Sequence, residues 1–182
     1  DSNQPFFGLV NFQVTHESGI FTPLGYMPNS AIHFVLQLMR WWTLDEVETG
    51  VVKPDSVVLE PYYPDTPVVR QDIARHYDNI VAMDAMVGGV LDELARDGLA
   101  ESTVVFFFSD HGRPMTRGKN TLYDSGLKVP FMVASYDQDI REKYLGPKTN
   151  RDDRLISLID INATTLALAG IQSYSSQATP FL

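Results

Sequence analysis

The segment Val104-Val105-Phe106-Phe107-Phe108-Ser109-Asp110-His111-Gly112 runs five apolar, strand-favouring residues straight into an acid, an imidazole and a glycine. Carboxylate oxygens suit Ca2+ or Mg2+, and an imidazole nitrogen admits Zn2+ or Mn2+. Neighbouring residues point to opposite faces of a strand, but the alternation relaxes where strand becomes loop. Asp110 and His111 can therefore turn toward one ion. The tripeptide alone serves a plainer reading equally well, in which Asp110 caps a following turn and His111 is merely polar. A second polar cluster, His16-Glu17-Ser18-Gly19, closes the apolar run from Phe6 to Thr15. A histidine titrates near neutrality and can act as a general acid. By residue type His16 is a surface polar group; its place at the carboxyl end of a strand favours a functional one.

These residues need elements to hold them. The unbroken apolar run before Asp110 predicts a strand buried on both faces of a sheet, and ligands collect beyond the carboxyl ends of such strands. Phe6 to Thr15 reads as a second buried strand. A Gly- and Pro-bearing loop follows over Thr22 to Asn29, and Ser30 caps an amphipathic helix from about Ala31 to Trp42, which includes His33. Lys53 to Glu60 reads as an edge strand, and Pro61 to Pro67 as a rigid connector. From Val68 to Arg96 apolar residues recur at helical spacing (Ile73, Tyr77, Ile80, Val81, Val87, Val90, Leu91, Leu94), and Gly98 suits the left-handed stop. His76 reads as a solvated or capping residue on that helix, and Gly88-Gly89 as a close helix–sheet contact. Leu122 to Gly126 turns into a strand at Val129 to Ala134, Asp137 to Arg154 is a solvated excursion, and Leu155 to Ala169 is a helix closed by Gly170. The tail from Gln172 is irregular. Helix alternating with buried strand predicts a mainly parallel sheet.

The 182 residues suffice for one sizeable core, so a single domain over 1–182 is the expectation. A formal charge of −9, with no basic stripe, argues against nucleic acid as a partner. No apolar stretch reaches the length of a membrane span, so no membrane partner is expected. The start, Asp1-Ser2-Asn3-Gln4-Pro5, is unlike a signal peptide and looks like an entry point inside a larger protein. With no cysteine, disulfides, thiolate zinc sites and cysteine nucleophiles are excluded from this chain. An acidic protein can still take an anionic substrate where a metal and a few cations focus positive potential. Trp41 and Trp42 read as core or lid packing, with a sugar subsite as the other possibility.

In order along the chain, Thr15-His16-Glu17, Pro61 to Arg70, Tyr77-Asp78-Asn79-Ile80, Met83-Asp84, Leu91 to Leu94, Ser109-Asp110-His111-Gly112, Lys119 to Gly126, Val129-Pro130 and Ser157 to Thr164 with Leu168 to Ile171 resemble the formylglycine-dependent sulfatases of the alkaline-phosphatase superfamily. The resemblance implies a three-layer α/β/α fold with a mostly parallel sheet. It implies that Asp110 and His111 are two ligands of a divalent metal, usually calcium, the second position being Asn or His among relatives. Lys119 matches the lysine that contacts the sulfate, where an ammonium adds positive potential; without the resemblance it reads as a solvated loop lysine beside Arg117. His16 matches the histidine that touches the sulfate or protonates the leaving-group oxygen.

Formylglycine arises from Cys or Ser in a Cys/Ser-x-Pro-x-Arg stretch, and none is present in the chain. The family's early pair of metal-binding aspartates is also missing. The chain is therefore expected to be the carboxyl-proximal portion of a sulfatase catalytic domain, without the nucleophile-bearing part and inactive by itself. The implied reaction is hydrolysis of a sulfate ester or sulfamate on a sulfated small molecule or carbohydrate. The alternatives are a phosphate or phosphonate ester hydrolase of the same superfamily, and a non-catalytic fragment or binding module that forms homo-oligomers through exposed sheet edges. Periplasmic or secreted placement is the family expectation.

Overall fold

The structure is a computed structural model that describes residues 4–20, 31, 34, 35, 38, 50–146, 151–171 and 179–181. It divides into two compact units, 9–93 and a second made of 1–8 with 94–182.

In the unit 9–93 the dominant element is helix α1, Pro67–Arg96. Its start is fixed by chemistry that the connector supplies. Pro67 takes the first helical position, where a missing N–H costs nothing, and the Thr66 hydroxyl accepts the Val69 N–H at 3.3 Å. Its end, across the unit boundary, is a Schellman stop: Gly98 adopts φ +69, its N–H reaches the Ala95 carbonyl at 3.1 Å, and the Leu99 N–H reaches Leu94 at 2.9 Å. Ile73 and Ala74 are fully enclosed, and Val14, Ile20 and Val57 are the other buried apolar residues among those described in the unit.

The first half of α1 is also tied down by polar bonds to distant chain. The buried Asp78 carboxylate accepts the Gly50 N–H at 2.7 Å and the Val52 N–H at 2.8 Å. Arg70 grips Asp65 through Nε and Nη2 at 2.6 and 2.9 Å, which holds the Asp65 carboxyl below its ordinary range, and donates to the Pro54 and Val57 carbonyls. Burial pushes the neighbouring Asp72 carboxyl upward. His76 is buried, not the solvated residue expected from its polar type. The predicted close contact at Gly88-Gly89 is also corrected, since a methyl on either glycine meets no described atom within 4 Å.

Two predicted strands of this part of the chain do not form. Residues 5–12 are irregular, and Gln13–Thr15 and Glu17–Gly19 are single 3-10 turns. Lys53 to Glu60 is a 3-10 turn at Pro54–Ser56 followed by irregular chain. A strand needs a neighbour for its backbone groups, and among the described residues neither segment has one. Of the helix expected over 31–42, Ala31, Phe34, Val35 and Leu38 are helical. Its other residues, His33 and Trp41-Trp42 among them, lie outside the described residues, as does the loop Thr22 to Asn29.

In the other unit, strand β1 (Val104–Phe108) pairs with β2 (Phe131–Ser135), from Val104 opposite Ser135 to Phe108 opposite Phe131. The pairing is antiparallel, which corrects the expectation of a mainly parallel sheet for the strands described. The connection between them turns back through a loop and a single helical turn, α2 (Asp124–Leu127), instead of crossing over on a long helix. All five β1 side chains are half-buried, because a two-stranded ribbon leaves both faces incompletely covered. Phe181 stands edge-on to Phe106 and Phe131, with ring centroids 6.0 and 5.4 Å away, in the T-shaped geometry that aromatic quadrupoles favour.

Helix α3, Ile159–Leu168, begins later than the predicted Leu155, which is fully exposed. Asp160 sets that start: its carboxylate accepts the Thr179 N–H at 3.0 Å and the Ser157 N–H at 2.8 Å, and these two donors hold its pKa below the usual range. The enclosed Thr164 hydroxyl accepts the Phe181 N–H at 3.1 Å, so the described end of the tail docks on α3. Gly170, at φ +76, closes the helix as expected. No helix of the described residues is long and apolar enough to cross a membrane.

Candidate functional site

Asp110 and His111 lie where β1 gives way to the loop, as the hydrophobic run requires. The Ser109 hydroxyl donates to the His111 carbonyl at 2.6 Å and bends the chain out of the strand. Asp110 points outward, its side chain 84% exposed, whereas His111 is 33% exposed. His111 Nδ1 lies 2.8 Å from the Gly112 carbonyl oxygen. A carbonyl only accepts, so Nδ1 carries the proton and Nε2 keeps its lone pair in the neutral ring. That lone pair sits 3.6 Å from Asp110 Oδ2, too far for a hydrogen bond. Two donors each about 2.3–2.6 Å from one ion, at right angles, stand about 3.3–3.7 Å apart. The pair therefore fits two adjacent corners of a coordination sphere. Among the described residues no group of three or more His, Asp or Glu side chains is placed to hold a metal. Two such donors alone would fill only part of a sphere, since a hard cation takes six to eight oxygens.

The loop that follows is closed on itself. The Gly112 N–H donates to the Gly126 carbonyl at 3.0 Å, which brings the far end of the loop back beside His111. The Arg113 carbonyl accepts both the Met115 and the Lys119 N–H at 2.9 Å, and the Gly118 N–H reaches Met115 at 2.9 Å. Three glycines occupy positions with no room for a side chain. A Cβ on Gly112 would overlap the Ser125 carbonyl oxygen, one on Gly118 the Arg113 carbonyl oxygen, and one on Gly126 the Thr121 and Gly118 carbonyl oxygens. Lys119 is half-buried and bracketed by two non-glycine residues in the left-handed region, Arg117 at φ +68 and Asn120 at φ +67. Such conformations cost of order 1–3 kcal/mol and persist where the surroundings over-determine them. Here the Thr121 hydroxyl shares its proton between the Arg117 and Gly118 carbonyls, at 2.7 and 2.8 Å, and the Ser125 hydroxyl donates to the Arg117 carbonyl as well. The Arg117 guanidinium lies 4.0 Å from the centroid of the Tyr123 ring.

His16 belongs to the unit 9–93. It is exposed and caps the 3-10 turn Gln13–Thr15 through its N–H to the Gln13 carbonyl at 3.1 Å. It is thus not at the carboxyl end of a parallel strand, the place that the apolar run suggests. One loop carries Asp110, His111 and Lys119; the unit with His16 is separate. Residue type alone marks neither Arg117, Thr121 and Ser125 nor the close approach at Gly112, Gly118 and Gly126. The signal that finds the loop is three glycines in one short polar stretch, which marks close backbone approach.

The Sulfatase family matches residues 2–171. An ulvan-active sulfatase of Formosa agariphila is 35% identical over 93% of this chain and 30% of its own length. Human N-sulphoglucosamine sulphohydrolase is 36% identical over 60% of the chain and 21% of its own length. An endo-4-O-sulfatase of Bacteroides thetaiotaomicron is 29% identical over 64% of the chain and 22% of its own length. The chain thus spans less than a third of the length of these relatives. With the match running through α1, β1, the closed loop and α3, the chain belongs to the sulfatase family, whose fold is the α/β architecture of alkaline phosphatases.

Proposed function

We propose that this chain is the carboxyl-proximal portion of a sulfatase catalytic domain, and that the whole protein hydrolyses a sulfate ester or sulfamate. The observation that carries the reading is the pairing of an outward Asp110 carboxylate with His111 Nε2, 3.6 Å apart, on the loop that holds Lys119. Asp110 and His111 would hold a divalent cation, Ca2+ by family preference, with further ligands from other parts of the protein. When bound, the cation polarises the sulfuryl oxygens. Sulfatases generally also use a formylglycine, and no Cys/Ser-x-Pro-x-Arg source of one lies in these 182 residues.

The residues of this chain then do three things. Asp110 and His111 fix the ion at the strand end. Lys119 sets its ammonium against the oxyanion, where charge builds in the transition state. His16, on the family resemblance alone, would give a proton to the leaving-group oxygen. The β1–β2 ribbon would be an antiparallel part of the mostly parallel sheet of a three-layer α/β/α domain. The names of the relatives, one active on ulvan and one on N-sulphoglucosamine, support a sulfated saccharide as the substrate class.

Matched aryl sulfate and aryl phosphate esters, assayed on the full-length protein with and without chelator, test this. Sulfate turnover that chelation abolishes and Asp110→Ala lowers by about 100-fold or more is expected. Preference for the phosphate ester would replace the reading with the sister hydrolase activity.

A further inference from the structure

Ser125 touches both arms of the closed loop and does so on one side with its side chain. Its carbonyl oxygen fills the space a Cβ on Gly112 would need, directly after His111. Its hydroxyl donates to the carbonyl of Arg117, two residues before Lys119. We infer that Ser125 is a positioning residue, one that sets Lys119 in register with the Asp110–His111 pair. This rests on the sulfate-contact reading of Lys119 proposed above.

Arg117 sits in the left-handed region, which its side chain disfavours and which its carbonyl contacts must over-determine. The hydroxyls of Thr121 and Ser125 converge on that carbonyl, and they come from different places. Thr121 is a near neighbour inside the same turn. Ser125 arrives on α2, whose first turn is pinned by the Gly126 and Leu127 N–H groups on the Tyr123 carbonyl at 2.8 and 3.0 Å. Gly126, next in sequence, accepts the Gly112 N–H. Beside the direct main-chain bond from the Lys119 N–H to the Arg113 carbonyl, a second path from His111 to Lys119 runs through Gly112, the Gly126 backbone, the Ser125 hydroxyl and the Arg117 carbonyl. Among the described contacts, the Ser125 hydroxyl is the only side-chain bond in that second path. Without it, Thr121 still holds the turn around Lys119 and the Lys119 N–H still reaches the Arg113 carbonyl, but the tie from α2 to the Arg117 carbonyl is lost and the turn is less firmly set against the strand end that carries Asp110 and His111.

A purely structural hydroxyl would change stability and leave the folded enzyme's chemistry alone. Loss of a positioning hydroxyl lowers kcat through Lys119 and has nothing left to lower when Lys119 is gone. The test is a double-mutant cycle on the full-length protein with an aryl sulfate, with thermal unfolding of each variant measured alongside. Ser125→Ala is expected to lower kcat about 5- to 10-fold with KM within about twofold, the scale of one hydrogen bond expressed in a rate. In the Lys119→Ala background the same substitution is expected to change kcat by less than about twofold. Equal losses in both backgrounds, or a lower Tm with kcat intact, overturn the inference while leaving the role of Lys119 standing. If Lys119→Ala by itself keeps full kcat, the sulfate-contact reading falls and the inference falls with it. Should the alanine variant fail to fold, Ser125→Cys keeps the shape, replaces the hydroxyl with a weak donor, and reads the same cycle.

Discussion

The loop from Gly112 to Gly126 and the second half of helix α1 both carry glycine, and the two regions use it in opposite ways. In the loop, Gly112, Gly118 and Gly126 have backbone oxygens where a side chain would begin. The chain there is held by itself, through main-chain bonds and two hydroxyls. In the helix, Gly88 and Gly89 face open space among the described residues, and nothing uses their lack of a Cβ. That helix is held instead by side chains reaching out from its first half: Arg70 to Asp65, Pro54 and Val57, and Asp78 to Gly50 and Val52. A loop secured by its own backbone has few states open to it, which is what a site needs when three of its groups must keep one geometry. A helix anchored by distant side chains can tolerate change along its unanchored part.

Gly112→Ala should have the largest effect. The new methyl would stand 2.8 Å from Gly126 Cα and closer still to the Ser125 carbonyl, atoms that cannot turn aside. The return bond from Gly112 to Gly126 must open to make room. Loss of about 3 kcal/mol in denaturant unfolding is expected, with loss of the proposed sulfate-ester turnover in whatever fraction of the full-length protein stays folded. A variant that melts and turns over like the parent would show that the loop is not closed in this way.

The contrast between the two regions also separates what residue order reveals from what it hides. Helix α1 is legible almost to the residue, because Pro67, the apolar spacing around Ile73 and the Asp97-Gly98 stop are all local signals. The strand leading to Asp110 is legible for the same reason: five consecutive apolar residues leave few other options. The predicted strand over Phe6 to Thr15 fails because a strand is decided by its partner, and a sequence shows hydrophobicity without showing pairing. The same limit hides the antiparallel return of β2. Asp110, His111 and Lys119 can be picked out by residue type together with the family resemblance. The closed loop around them cannot, because main-chain bonds such as Gly112 to Gly126 leave no mark on residue type beyond the glycines.

Gly88→Ala and Gly89→Ala sharpen the other side of the comparison. Each removes the conformational freedom glycine gives the unfolded chain and places a methyl where no described atom stands. Stability should rise by about 0.5–1 kcal/mol for each, as read by denaturant unfolding. A fall would mean that this face of α1 carries a contact beyond the described residues, and the helix would then join the loop as a site of close approach.

The smallest effect expected is at the helix's exposed anchor. Arg70 lowers the folded pKa of Asp65 chiefly through its side-chain hydrogen bond. A carboxyl with a depressed folded pKa contributes stability that is full above its unfolded pKa and fades as pH falls through the folded value. Asp65→Asn should therefore lower Tm slightly at neutral pH, and the gap from the parent should close on acidification into the range below the ordinary carboxylate pKa. Both groups reach solvent, so added salt should also narrow the gap. A gap that persists unchanged in acid would assign the anchor to the shape of the Arg70 fork and not to charge. The helix would then be held, like the loop, by geometry alone.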